Sequence, residues 1–183
     1  MPINITMEYF KEVSLSSWAQ IQEYCVDKWD GTFSNAKVFV GQDLIDIATM
    51  LRTDLLSLGN NLKVKTAILF INQGNFKQDM HIDGFTVDRK GASNTALNIP
   101  ILNCDNGPMY WYDGKYTLTN HSLSGLGYLK IDWSTEPDLV ATKIINKPTI
   151  VRIGVPHYIE NNSNMPRLML TVRFVTDIPL DNI

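Results

Sequence analysis

The sequence predicts a mainly β protein of class α+β, a jelly roll with helices packed on one of its sheets. Three observations predict it. Helical periodicity is confined to roughly the first 60 residues. Strand-like pieces then recur about every ten residues, separated by turn residues. The last piece alternates cleanly, wholly apolar on one face and mixed on the other. A chain of 183 residues is long enough for one domain with its own core. No repeat, linker or low-complexity stretch divides it. Residues 1–183 therefore read as a single domain, with 1–60 a helical layer and 61–178 the jelly-roll core.

The elements follow in order. Ser17 is placed to cap a helix, with Gln20 three residues on as its reciprocal partner. Trp18, Ile21 and Cys25 recur at near-helical spacing, and Gly31 is a stop. Residues 35–40 read as a short strand. Asp43 is the next cap, and Leu44, Ile47, Ala48, Leu51, Leu55 and Leu58 form one apolar stripe that Gly59 ends. After residue 63 the pattern turns to strands, at 64–71, 79–84, 94–101, 108–112, 115–119, 126–132, 139–145, 148–153, 155–160 and 166–176. Asn106-Gly107-Pro108, Asp113-Gly114, Gly125-Leu126-Gly127 and Asn146-Lys147-Pro148 punctuate them. On the last strand Leu168, Leu170, Val172 and Phe174 make a face that can take the helix at 43–58. Arg167, Met169, Thr171 and Arg173 make the other, which can line a pocket.

Composition narrows the function classes. With 44% hydrophobic and 19% charged residues, the chain has the make-up of a globular domain. A net charge of −3 and the absence of a Lys/Arg run give no electrostatic footprint for nucleic acid. No stretch is long and apolar enough to span a membrane. The N-terminus lacks the basic and apolar regions of a secretory leader, and two widely spaced cysteines, Cys25 and Cys104, form no redox or metal pair. The expected setting is a reduced cytoplasm. The oligomeric state is not legible.

The chemistry concentrates at His81-Ile82-Asp83. On a strand, positions i and i+2 project to one face, so an imidazole and a carboxylate point at one spot. That is two thirds of a two-His-one-carboxylate facial set. Alone, the pair is common by chance, as a surface histidine before an Asp-Gly turn. The chain has three histidines. His121 lies in the polar run Thr119-Asn120-His121-Ser122 and reads as a solvated surface residue. His157 follows Gly154 and Pro156, a turn and a stiff entry suited to a ligand at the mouth of a barrel.

His81-x-Asp83, then His157, then Arg167 ten residues later, resembles the 2-oxoglutarate- and Fe(II)-dependent dioxygenases, in the manner of the prolyl hydroxylase and aspartyl/asparaginyl β-hydroxylase branches. Leu97-Asn98-Ile99-Pro100 and Pro156-His157-Tyr158-Ile159-Glu160-Asn161 are similar to segments of small phage and bacterial members. The resemblance covers roughly 64–176. It implies a double-stranded β-helix, or cupin-like jelly roll, with His81, Asp83 and His157 as iron ligands. It also implies Arg167 as the anchor for the distal carboxylate of 2-oxoglutarate, a role that suits arginine's planar fork. Asn98 and Tyr110 are further candidates for contacts to the co-substrate. Arg173 is the rival anchor, about 20 Å along the strand from Arg167. The family's Arg-x-Ser pattern is replaced by Arg167-Leu168-Met169, and Thr171 reads as too far along to supply the hydroxyl. The implied partners are 2-oxoglutarate, O2 and a substrate the sequence does not name. The implied reaction couples oxidative decarboxylation of 2-oxoglutarate to C–H oxidation.

Two other readings stay open on these residues: a cupin-like metalloprotein that does not use 2-oxoglutarate, and a non-catalytic jelly-roll binding module with structural histidines. The polar segment 85–94, directly after the ligand pair, is expected to be a mobile lid.

Overall fold

The apolar–polar alternation after residue 63 forms two antiparallel sheets that face one another, and the N-terminal helices cover one of them. The computed structural model describes residues 8–31, 35–59, 62–84, 87–123 and 126–180, with the backbone alone for 121–123 and 126–127. In chain order the elements are β1 (Phe10–Glu12), α1 (Trp18–Lys28), β2 (Ala36–Phe39), α2 (Gln42–Met50), α3 (Arg52–Leu58), β3 (Val64–Asn72), β4 (Phe76–Lys77), β5 (His81–Asp83) and β6 (Thr95–Leu102). They continue as β7 (Pro108–Asp113), β8 (Tyr116–Leu123), β9 (Leu126–Trp133), β10 (Asp138–Ile144), β11 (Thr149–Arg152), β12 (His157–Asn161) and β13 (Arg167–Phe174).

The first sheet runs β1-β11-β6-β13-β3-β2, and the second β10-β7-β12-β5-β9-β8, with β4 added beside β12. The chain passes between sheets as it goes: β3, β6, β11 and β13 lie in the first, β5, β7, β10 and β12 in the second. That winding is the predicted jelly roll. The hairpin β8–β9 stands outside it. It leaves after β7 and pairs through β9 with β5, so that Tyr128 sits opposite Asp83.

The side-chain period of two assigns the faces. Leu168, Leu170, Val172 and Phe174 of β13 join Ile21, Cys25, Ile47, Leu51 and Leu55 of the helical layer in one buried cluster. Arg167, Met169 and Thr171 turn into the space between the sheets. The stripe expected as one helix at 43–58 is two helices meeting at Leu51. Ile47, Leu51 and Leu55 stay buried on one line through the joint. The Thr49 hydroxyl donates to the Ile45 carbonyl at 2.8 Å, a back-bond of the kind that bends helices.

Two expected caps differ. Ser17 does precede α1, and its carbonyl accepts from Ile21 N–H, but its side chain bonds none of the helix amides. Its hydroxyl instead donates to Asp54 Oδ2 at 2.5 Å. Asp43 lies inside the first turn of α2, where it meets Lys28 Nζ at 2.7 Å and accepts from the Tyr24 hydroxyl at 2.8 Å. A carboxylate outbid by a nearby cation and phenol is not free to cap. His121 is on β8, paired with Tyr128, rather than in a loop. The expected exposure of its side chain falls outside the described residues. No helix among the described residues is long and apolar enough to cross a membrane.

Candidate metal centre

His81 and Asp83 are the ends of β5, and His157 opens β12. The two strands are hydrogen-bonded neighbours, with His157 directly opposite His81. One alternation on β5 and one cross-strand step therefore bring three side chains to one point. A ligand atom from each lies within 4.8 Å of the others. His81 Nε2 is 3.3 Å and His157 Nε2 3.8 Å from Asp83 Oδ1. Both histidines are buried.

The protonation pattern suits a cation. His81 Nδ1 lies 2.8 Å from the Asp79 carbonyl and His157 Nδ1 2.8 Å from the Val155 carbonyl. A carbonyl only accepts, so each ring donates from Nδ1 and turns the lone pair of Nε2 toward Asp83. Burial, helped by the neighbouring His81, pushes His157 down to about 4, so its imidazole is neutral near pH 7. For Asp83, burial pushes the carboxyl up, but the Arg173 guanidinium outweighs it and holds it well below the usual carboxylate range. Arg173 Nη2 donates to Asp83 Oδ2 at 2.5 Å. One carboxylate oxygen thus serves the arginine and the other faces the two imidazoles.

The backbone holds these parts in register. Asp83 N–H donates to the Ile153 carbonyl at 3.0 Å, joining β5 to the approach to His157. Arg89 reinforces that join. Its Nε donates to the Asp83 carbonyl, its Nη1 to the Gly154 carbonyl and Asn94 Oδ1, and its Nη2 to the Ser93 carbonyl, at 2.8–3.2 Å. At Gly154 a Cβ would lie 2.5 Å from Asn94 Oδ1 and 2.9 Å from Arg89 Nη1, so any side chain there would push these two groups aside. The segment expected as a mobile lid is hydrogen-bonded across its described part, 87–94, through Arg89 and through Lys65, whose Nζ donates to the Gly91 carbonyl. Residues 85–86 lie outside the described residues.

A narrow cavity of about 50 Å3 leads from the His81, Asp83 and His157 side chains along β13 to Arg167. Arg167 is 1% exposed. Its Nη1 donates to Asn72 Oδ1 at 3.0 Å, its Nε has no partner, and no carboxylate among the described residues pairs with it. Gly107 packs against it so closely that a Cβ would meet Nε at 2.4 Å. A buried guanidinium without a counter-charge is costly unless an anion completes it. Asn98 also lines this cavity and accepts from the Thr171 hydroxyl at 2.8 Å. Thr171 therefore does reach the site, since alternation puts it on the same face as Arg167. Tyr110 does not. It points out of the second sheet, between the buried Met109 and Trp111, with its ring stacked on Tyr158 at 4.8 Å and its hydroxyl on Glu160. The odd–even period of β7 sends it away from the centre.

The chain matches no family model and no curated protein. Among solved structures it is similar to the non-haem alpha-ketoglutarate-dependent carbocyclase SnoK from nogalamycin biosynthesis, at TM-score 0.52 and 12% identity, covering 88% of this chain and 76% of that one. The fold is shared. A Pseudomonas putida prolyl-4-hydroxylase aligns over 92% of each chain at TM-score 0.47 and 12% identity. EctD from S. alaskensis aligns over 90% of this chain and 72% of that one at TM-score 0.48 and 11% identity.

Proposed function

We propose that the protein is a non-haem Fe(II)-, 2-oxoglutarate-dependent oxygenase. The observation that carries this reading is the convergence of two Nε2 lone pairs and one carboxylate oxygen on a common point, with the uncompensated Arg167 at the far end of the adjoining cavity. Nitrogen–oxygen donors with open positions suit ferrous iron. His81, Asp83 and His157 are its ligands here. Arg167 takes the distal carboxylate of 2-oxoglutarate, with Thr171 and Asn98 along the path. Iron(II) bound with 2-oxoglutarate and O2 supplies the oxidation of a substrate C–H bond, coupled to conversion of 2-oxoglutarate to succinate and CO2.

The chain's own tasks are positional. The Asp79 and Val155 carbonyls keep the imidazole protons on Nδ1. Arg173 holds Asp83 ionised and in one orientation. Met109, Ile153, Ile159 and Met169 keep water from the cavity.

Anaerobic addition of Fe(II) and then 2-oxoglutarate should give a weak visible charge-transfer band, and 2-oxoglutarate should yield succinate under air. Metal binding with neither result would overturn the co-substrate assignment. Failure to bind any divalent metal would overturn the centre itself.

A further inference from the structure

A second cavity, of about 230 Å3, adjoins the path to Arg167 and shares Phe70, Gln78, His81 and Asp83 with it. Its walls are mostly carbon: Val38, Ile68 and Phe70 from the first sheet, Phe76 from β4, and Tyr128 from the β8–β9 hairpin. Tyr128 meets the His81 ring edge-on at 5.3 Å, so the hairpin brings an aromatic wall to the metal ligands. The volume is roughly one and a half times the ~150 Å3 cavity that accommodates benzene.

Charge narrows the occupant. Among the described residues lining the cavity, the sole acid is Asp83, and it is committed to Arg173 and the imidazoles. Lys65 and Arg173 are cations. Two polar atoms are buried without a partner, Thr66 Oγ1 and Arg173 Nε, on residues paired in register across β3 and β13. Both can donate to an oxygen, and neither is satisfied by the protein. A protonated amine entering this space would lose its hydration and find two cations. An acceptor oxygen would find two donors.

We propose that this cavity is the site of the oxidised substrate, and that the substrate is a small, mainly carbon molecule of about ten non-hydrogen atoms, neutral or anionic, carrying a carbonyl or carboxylate oxygen. The proposal rests on the reading of His81, Asp83 and His157 as the metal centre. Thr66 and Arg173 bind the oxygen, and the aromatic walls bind the carbon body.

Three probes of one shape test it: 3-phenylpropanamide, 3-phenylpropanoate and 3-phenylpropylamine. Calorimetric titration is run anaerobically, on metal-free protein and on protein loaded with Fe(II) and saturating 2-oxoglutarate. The amide and the acid should bind at least about tenfold more tightly than the amine, a preference set by leaving a buried cation unpaired. Ala92→Trp, which fills the cavity from the 87–93 segment, should weaken the amide at least about tenfold while metal binding persists. Thr66→Val, which keeps shape and removes the hydroxyl, should weaken it roughly three- to tenfold. Equal or tighter binding of the amine, or an amide affinity unmoved by both variants, overturns the proposal. If the amide binds metal-free protein in this way but no metal binds, the cavity assignment stands and the metal reading fails. If metal and 2-oxoglutarate bind but none of the probes does, the reverse holds.

Discussion

Two aspartates of this protein sit in walls of the same sandwich and are kept ionised by opposite means. Asp54, in the helical layer, accepts four hydrogen bonds from the backbone and hydroxyl groups of Ser16 and Ser17, at 2.5–3.0 Å. Asp83, between the sheets, has one arginine on Oδ2 and two imidazoles near Oδ1. Burial opposes the charge in both cases and is overcome in both, by neutral donors at Asp54 and by charge at Asp83. The difference teaches how to tell scaffold from chemistry. Every lone pair of Asp54 that points into the protein is already met, so it fastens α3 to the start of α1 and can do little else. Asp83 keeps lone pairs aimed at a point where two more lone pairs arrive. A carboxylate whose neighbours are acceptors facing it is arranged for a cation.

Substituting each aspartate by asparagine should separate these roles most sharply. Asp83→Asn should weaken binding of Fe(II), or of Co(II) as a spectroscopic stand-in, by at least about a hundredfold, because it removes a ligand rather than an outer-shell contact. Its melting temperature without metal should move far less than its affinity. An Asp83→Asn protein that still binds metal like the wild type would erase the distinction.

The two arginines of β13 extend the comparison along one strand. Arg167→Met should raise the 2-oxoglutarate dissociation constant by roughly thirtyfold or more, as expected for truncating one partner of a buried charge pair. It should leave Co(II) affinity unchanged. Arg173→Met should do the converse, weakening metal about tenfold by freeing Asp83 Oδ2, with co-substrate affinity falling only as metal is lost. Titrating both ligands against both variants checks it. Arg89→Met should resemble Arg173→Met on metal, with a smaller effect, because it loosens the joint between Asp83 and Gly154 without touching a ligand atom. A larger loss than that of Arg173→Met would make the clamp, rather than the carboxylate's partner, the main support of the centre.

Local pattern brought out His81 and Asp83, the family resemblance added His157 and Arg167, and the groups that support all four stayed hidden. His81-x-Asp83 needs only the period of a strand to be read, whereas His157 and Arg167 were picked out by the resemblance to the dioxygenases. The face division of β13 was equally open, since Leu168 to Phe174 alternate without a break. What remained hidden depends on which strands become neighbours. Nothing in the residues of β9 says that it pairs with β5 and puts Tyr128 beside His81. Arg173 reads as a rival to Arg167 until sheet order sets it against Asp83. Thr171 reads as distant if only sequence separation from Arg167 is weighed, because the cavity runs lengthwise along the strand. Ser17 carries the sequence mark of a cap, yet Asp54, 37 positions away in the chain, takes its hydroxyl and amide. Tyr110 was lost on parity alone, one step out of phase with Met109 and Trp111.

The smallest effect concerns Asp54, and its sign follows from its environment. The bonds from Ser16 and Ser17 hold its folded carboxyl below the ordinary value of about 3.9. A depressed acid contributes stability that is fully present above the unfolded value and is lost as pH falls through the folded one. Asp54→Asn keeps one acceptor and loses the charge, so it should cost about 1–3 kcal/mol near neutrality. Urea melts of the wild type and the variant from pH 7 to pH 3 should show that gap constant down to about pH 5 and closing below about pH 4. Because Asp83 titrates identically in both proteins, the difference between the two curves isolates Asp54. A gap that widened in acid would mean that the Ser16–Ser17 donors favour the protonated carboxyl, and the contrast with Asp83 would have to be redrawn.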